Sequence, residues 1–221
     1  LCTSELYRPQ LDRLGWRLPM AVSEQHREHA SMADIAAAIL ADAPPRFALA
    51  GLSMGGYIAF EIMRQAPSRV ERLALLDTSA RPDTPEQTEN RRRLVALAER
   101  KGIEAPAREM FARLVAPARA GDGELAAAFL AMARETGSAA FARQQMAIAT
   151  RPDSRPGLAA IRCPTLVMVG DQDQLTPPAL AEEIANGISG SLLAVIPGAG
   201  HLSTLEAPDA VGAALEAWLE L

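Results

Sequence analysis

A chain of 221 residues, 49% hydrophobic and 22% charged, has the make-up of one large globular domain or of a domain carrying an insertion, not of a disordered segment. Its 22 Lys and Arg against 27 Asp and Glu leave a net charge of −5, without the basic excess on which nucleic-acid binding draws. No apolar run nears the roughly 20 residues needed to cross a bilayer. Heptads and fixed-period repeats are absent, and Cys2 and Cys163 are too far apart for a disulfide framework or a CxxC metal knuckle. Two unpaired thiols suit a reducing, cytoplasmic compartment.

The chain opens on Leu1, and its first residues read as the middle of a domain, so a preceding segment is expected. Arg17–Val22 is a weak strand candidate. Ser31 is placed to cap the amide of Asp34, and Met32, Ile35, Ile39 and Leu40 recur at helical spacing up to Pro44-Pro45. Phe47–Ala50 reads as a buried parallel strand. It runs into Gly51-Leu52-Ser53-Met54-Gly55-Gly56 and an apolar helix, Tyr57–Gln65, closed before Pro67. Leu73–Asp77 is the next buried strand.

From 82 to 157 strands give way to helices. Thr84, Pro85 and Gln87 form a capping box at the first, which Gly102 closes. Met110, Phe111, Leu114 and Val115 mark a second stripe, stopped by Pro117. Leu125, Phe129 and Met132 mark a third, and Phe141, Gln145 and Ile148 a fourth; Pro152 and Pro156 bracket the way out. Thr165–Val169 is the strongest strand, Thr176 is placed to cap a helix from Pro177, Leu192–Ile196 is the last strand, and Val211, Leu215, Trp218 and Leu219 face the core from a terminal helix. Strands alternating with helices predict an α/β fold with a mainly parallel sheet covered on both faces. Residues 1–81 and 158–221 form its core, and 82–157 a helical cap folded over one end of the sheet.

Gly51-Leu52-Ser53-Met54-Gly55 carries the chemistry. A serine hydroxyl needs a base to become nucleophilic, and a sharp strand-to-helix turn lifts it clear of the backbone. Glycines two residues either side leave room for that turn. The amide of Met54, at the helix N-terminus, is the natural oxyanion donor. The base belongs on a later loop at the same sheet end. His201, after the last strand in Pro197-Gly198-Ala199-Gly200-His201, is so placed. His26 and His29 have metal-compatible i, i+3 spacing but no evident third ligand, so they read as solvated surface, and no metal or cofactor is implied. The acid that orients the imidazole is one of Asp77, Asp171 and Asp173, all at strand ends on the correct side. Spacing alone does not choose firmly among them, although Asp173 has the most freedom to turn toward His201.

The order Ser53, Asp173, His201, with Cys163-Pro164-Thr165-Leu166-Val167-Met168-Val169-Gly170-Asp171-Gln172-Asp173 and Gly200-His201 around its later members, resembles the α/β-hydrolase superfamily over nearly the whole chain. The likeness is greatest to small cap-bearing carboxylesterases and 3-oxoadipate enol-lactonase-like hydrolases. It implies Asp173 as the acid and 82–157 as the cap. It also implies a central strand ending in His-Gly or Pro-Gly just before Leu1–Tyr7. That strand is absent from this sequence, so the expectation is a fragment or a rearranged N-terminus, with Leu1 at or just after the position of the second oxyanion donor. Losing one such donor typically costs about 10²–10³ in rate.

Cap residues Met110, Phe111, Phe129 and Met132 are expected to supply part of an apolar pocket above Ser53; the wider cap stripes also contain Phe141 and Met146. Arg91-Arg92-Arg93 reads as a solvated face before an anion clamp. The expected activity is hydrolysis of small or medium carboxylic esters through an acyl-enzyme on Ser53. Lactonase, thioesterase or acyltransferase action on the same three residues is the alternative, and a small-molecule receptor of the same fold is the alternative of another class. The expected partner is a small-molecule ester, with no nucleic acid and no membrane, the chain acting as a monomer or homodimer.

Overall fold

The computed structural model describes residues 1–220. Four strands, β1 (Phe47–Leu52), β2 (Val70–Leu76), β3 (Thr165–Gly170) and β4 (Leu192–Ile196), lie side by side in that order, and each neighbouring pair is parallel. Parallel neighbours need crossovers, and helices supply them. The chain runs through α1 (Arg8–Leu14) and α2 (Met32–Asp42) to β1, and α3 (Met54–Gln65) joins β1 to β2. The helices α4 (Pro85–Lys101), α5 (Glu104–Leu114) and α6 (Gly123–Ala149, kinked at Gly137) separate β2 from β3. After β3 come α7 (Pro178–Gly187), β4, the single turn α8 (Ser203–Glu206) and α9 (Pro208–Leu219).

The central strands are apolar throughout Leu73–Leu76 and Leu166–Val169, because both faces are covered there. Leu73, Leu75, Val167 and Val169 pack with Ile35, Ile62 and Ile184 of α2, α3 and α7. The alternate residues Ala74, Leu76, Leu166 and Met168 pack with Leu14, Leu114, Val211 and Trp218 on the other face. At about 1.5–3 kcal/mol for each large side chain removed from water, these two layers hold the sheet.

The edges differ. Ala48 and Ala50 of β1 are exposed, and no strand among the described residues pairs with its outer side. The amide of Leu52 donates instead to Tyr7 Oη at 2.9 Å. Arg17–Val22, expected as a strand, is irregular, with Leu18 and Met20 exposed. An extended segment without a ladder partner does not hold as a strand.

The helical segment follows its sequence signals. Thr84 and Gln87 make the capping box, and Gly102 ends α4 at φ +79°. The third and fourth stripes lie on either side of Gly137, whose non-helical backbone (φ +73°, ψ 164°) divides α6 into two helical halves, as the two stripes imply. The segment's neck is tied by Arg151. Its Nε donates to the Arg81 carbonyl at 3.0 Å, Nη1 donates to the Ile148 carbonyl at 2.8 Å, and Nη1 also pairs with Asp83. No helix among the described residues is long and apolar enough to cross a membrane.

Candidate active site

All four strands point their C-terminal ends at one crevice, the usual ligand site of an open parallel sheet. Ser53 follows β1 with φ +54° and ψ −111°, a left-handed conformation unusual for a side-chain-bearing residue. The turn depends on glycine at specific points. A Cβ on Gly51 would lie 2.3 Å from the Gly55 carbonyl oxygen, and one on Gly56 would lie 2.4 Å from Thr78 Oγ1. Gly55 itself faces open space, so the second tight position is Gly56 and not the glycine two residues after Ser53. The Ser53 amide donates to the Leu76 carbonyl at 2.9 Å, and Thr78 Oγ1 donates to the Ser53 carbonyl at 2.8 Å, fixing the turn to the end of β2. Met54 opens α3, so its N–H has no intrahelical partner.

His201 sits on the loop after β4 and is 2% exposed. Its Nε2 lies 2.8 Å from Ser53 Oγ, and its Nδ1 lies 2.8 Å from Asp173 Oδ2. With the proton on Nδ1, the ring donates to the carboxylate and Nε2 accepts from the serine hydroxyl. Asp173 is held in turn. Its Oδ1 accepts the Leu175 and Thr176 amides at 2.8 and 2.9 Å, and its Oδ2 accepts Thr176 Oγ1 at 2.7 Å. Thr176, expected as a helix cap, therefore serves this carboxylate, while α7 begins at Pro178.

The three strand-end aspartates separate by partner. Asp171 Oδ1 accepts the Gly198 amide at 2.7 Å, tying the loop after β3 to the loop after β4. Asp77, fully buried at φ +45°, accepts the Gly170 amide at 2.8 Å and the Ser203 hydroxyl. Asp173 alone among them bonds the imidazole. Burial disfavours a charged His201, but Asp173, through its charge and hydrogen bond, with further help from Asp77 and Glu206, outweighs that and raises its pKa. Burial likewise opposes ionised Asp173, and His201 together with the Thr176 donors brings its pKa below the ordinary value. Asp77 is pushed up to about 7, chiefly by burial.

A cavity of about 1650 Å³ reaches Ser53, Met54 and His201. Met110 and Phe129 line it; Phe111 and Met132 do not. Phe111 turns instead into the core, its ring centroid 6.0 Å from that of Phe129, and Met132, 2% exposed, packs in the same layer. Neighbours on a helix point about 100° apart, and here Met110 takes the cavity side and Phe111 the core side. Met146 is exposed. Leu1 lines the cavity, and its amino group donates to Gln144 Oε1 at 3.0 Å. Of the three consecutive arginines, Arg91 turns inward to Asp83 and Gln145, while Arg92 and Arg93 pair with Glu89 and Glu109 at the surface. His26 Nε2 lies 3.2 Å from the Cys2 carbonyl oxygen. Tyr7 and Thr176 support the site, Tyr7 unmarked in the sequence and Thr176 marked there only as a helix cap. A hydroxyl three residues after Asp173 was the available signal for Thr176; Tyr7 had none.

Set against known proteins, residues 7–214 match the model of a family described as the alpha/beta hydrolase family. BpoC of Mycobacterium tuberculosis, whose name describes a non-heme bromoperoxidase, is 32% identical over 192 residues, covering 83% of this chain and 72% of that protein. A thermophilic esterase from Thermogutta terrifontis, solved with malate bound, superposes with a TM-score of 0.87 at 32% identity, over 99% of this chain and 86% of its own. The enol-lactonase from Burkholderia xenovorans LB400 shares the fold, with a TM-score of 0.84 at 24% identity over 100% of this chain and 88% of its own.

Proposed function

The chain belongs to the α/β hydrolase family, and on that premise we propose that it is a serine hydrolase of small or medium carboxylic esters, acting through Ser53, His201 and Asp173. The observation that carries the reading is the relay at the sheet end: Ser53 Oγ to His201 Nε2 at 2.8 Å, and His201 Nδ1 to Asp173 Oδ2 at 2.8 Å. The esterase likeness supports the same chemistry. His201 takes the hydroxyl proton as Ser53 Oγ attacks the acyl carbon. The Met54 N–H, at the positive end of α3, holds the oxyanion, and Leu1 is the proposed neighbour of the second donor position. Protonated His201 gives its proton to the departing alcohol. Water, deprotonated by His201, then attacks the acyl-serine and releases the acid. Asp173 fixes the tautomer and stabilises the imidazolium throughout.

Residues 82–157 form the cap in this reading, and Met110 and Phe129 contribute the apolar wall against which the acyl chain rests. The test is turnover of p-nitrophenyl acetate, butyrate and octanoate by the parent and by Ser53→Ala. The parent is expected to turn over many times. The variant should fall by about 10⁴-fold or more, since removing the nucleophile disables the whole unit. Equal rates would contradict the proposal, and a single stoichiometric release from the parent would favour the receptor alternative.

A further inference from the structure

We propose that Glu206 is a positioning residue for His201, one carboxylate that locks the His201 loop to the helical segment; the inference rests on the hydrolase reading above. Glu206 ends α8, one turn after His201. Its Oε1 accepts the Gly200 amide at 3.0 Å and the Leu202 amide at 3.2 Å, the residues on either side of the histidine. Its Oε2 accepts the Ala116 amide at 2.7 Å, from the stretch that leaves α5. The two chain segments touch along their length. The Leu202 amide also donates to the carbonyl of Leu114, the last residue of α5, at 3.0 Å. A Cβ on Gly200 would stand 2.3 Å from the Ala116 nitrogen.

No Lys or Arg among the described residues lies within salt-bridge distance of the Glu206 carboxylate, so three backbone amides hold it. Arg119 reaches only its backbone carbonyl, at 3.4 Å. A half-buried carboxylate kept this way costs desolvation that only well-placed donors offset. The arrangement fits the demand placed on His201. The loop that carries it contains Gly198 and Gly200, yet Nε2 must stay within hydrogen-bond reach of Ser53 Oγ. Asp173 holds the ring, and Glu206 holds the backbone from which the ring projects. Displacement of a catalytic group by about 1 Å costs on the order of 10² in rate. Through Ala116, any shift of α5 reaches the same carboxylate.

A glutamine here keeps one acceptor oxygen for Gly200 and Leu202 but turns an N–H₂ toward the Ala116 N–H, and it removes the charge. The charged groups facing His201 are Asp173 from the loop after β3, Asp77 from the end of β2 and Glu206 from α8, while Arg119 faces Glu206. Losing one negative charge makes the imidazole easier to deprotonate, so the acid limb of the rate profile moves to lower pH.

The experiment is the rate of fluorophosphonate labelling against pH, with kcat and KM for a p-nitrophenyl ester, for the parent, Glu206→Gln and Glu206→Asp, each checked for folding by circular dichroism. In Glu206→Gln we expect labelling and kcat slower by about tenfold or more with KM little changed, and the acid limb displaced downward. Glu206→Asp retains the charge but is one methylene shorter; it should be slow with the acid limb kept. It carries the test alone if the glutamine variant does not fold. Parent-like rates in either folded variant, or a slow Glu206→Gln whose acid limb stays put, would overturn the proposal. A parent that is not labelled at all would instead remove the hydrolase reading, and this inference with it.

Discussion

Three aspartates stand at the ends of neighbouring strands, and their partners give them three different tasks. Asp171 ties its loop to Gly198 after β4, Asp173 faces the imidazole, and Asp77 ties the Gly170 amide to the Ser203 hydroxyl. Under the proposed mechanism, Asp173→Asn presents the wrong tautomer of His201 and should lower kcat by about 10³–10⁴-fold, measured on a p-nitrophenyl ester. Asp77→Asn should cost far less rate but should change how stability depends on pH. Burial raises the folded-state pKa of Asp77 to about 7, above its ordinary value of 3.8. Between those values the folded protein binds more protons than the unfolded chain, so stability falls as pH rises through that window. Asparagine removes this contribution. Urea unfolding at pH 5 and pH 8 should show a large decrease for the parent and a smaller one for Asp77→Asn; equal decreases would mean that Asp77 is charged throughout. The raised pKa of His201 acts in the same direction, its contribution being lost as pH climbs through the folded value. It is present in both proteins, and its own elevation shrinks when the Asp77 charge goes, so the sign of the difference holds.

At the scale of elements, the helical segment is a unit held at its neck. Asp83 is buried between Arg91 and Arg151, and Arg151 bonds the chain on both sides of the segment while lying 4.2 Å over the Tyr57 ring. Replacing Asp83 by Asn leaves two guanidinium groups facing each other in a largely closed site. This should cost about 3 kcal/mol of stability by urea denaturation, and an unchanged midpoint would show the pair to be dispensable. The elements themselves were unevenly legible. Thr165–Gly170 and Leu192–Ile196 announce themselves as apolar, β-rich runs between turn residues. The Ser53 turn does so through Gly51 and the apolar helix behind it. Arg17–Val22 has strand-like composition, but a strand is made by its neighbours, and none pairs with it. The third and fourth helical stripes read as two helices, and the non-helical backbone at Gly137 divides them as such. A stripe also does not say which of its members line a cavity. Met110 and Phe129 do, whereas Phe111 and Met132 fill the layer beneath.

Across the whole molecule, a parallel sheet delivers residues far apart in sequence to one rim. Ser53, Asp77, Asp173 and His201 all follow a strand's C-terminal end, and the α4–α6 segment rises from the same side, between β2 and β3. That convergence is why so much of the candidate site could be read from order alone. Ligands of an open parallel sheet bind beyond the strands' C-terminal ends, so candidates are sought there, although order did not decide among Asp77, Asp171 and Asp173. What order does not convey is the bracing: the Thr176 hydroxyl on Asp173, Tyr7 on the Leu52 amide, and the Glu206 carboxylate between His201 and α5. These contacts link positions tens of residues apart, or they depend on a turn whose direction only the folded chain sets. The proposed chemistry rests on Ser53 being an activated nucleophile beside a working oxyanion site. Intact mass spectrometry after fluorophosphonate treatment tests it most directly, because the reagent needs that chemistry and not the right substrate. One adduct is expected on the parent and none on Ser53→Ala. A folded parent that stays unmodified, or a Ser53→Ala variant that is modified equally, would contradict it.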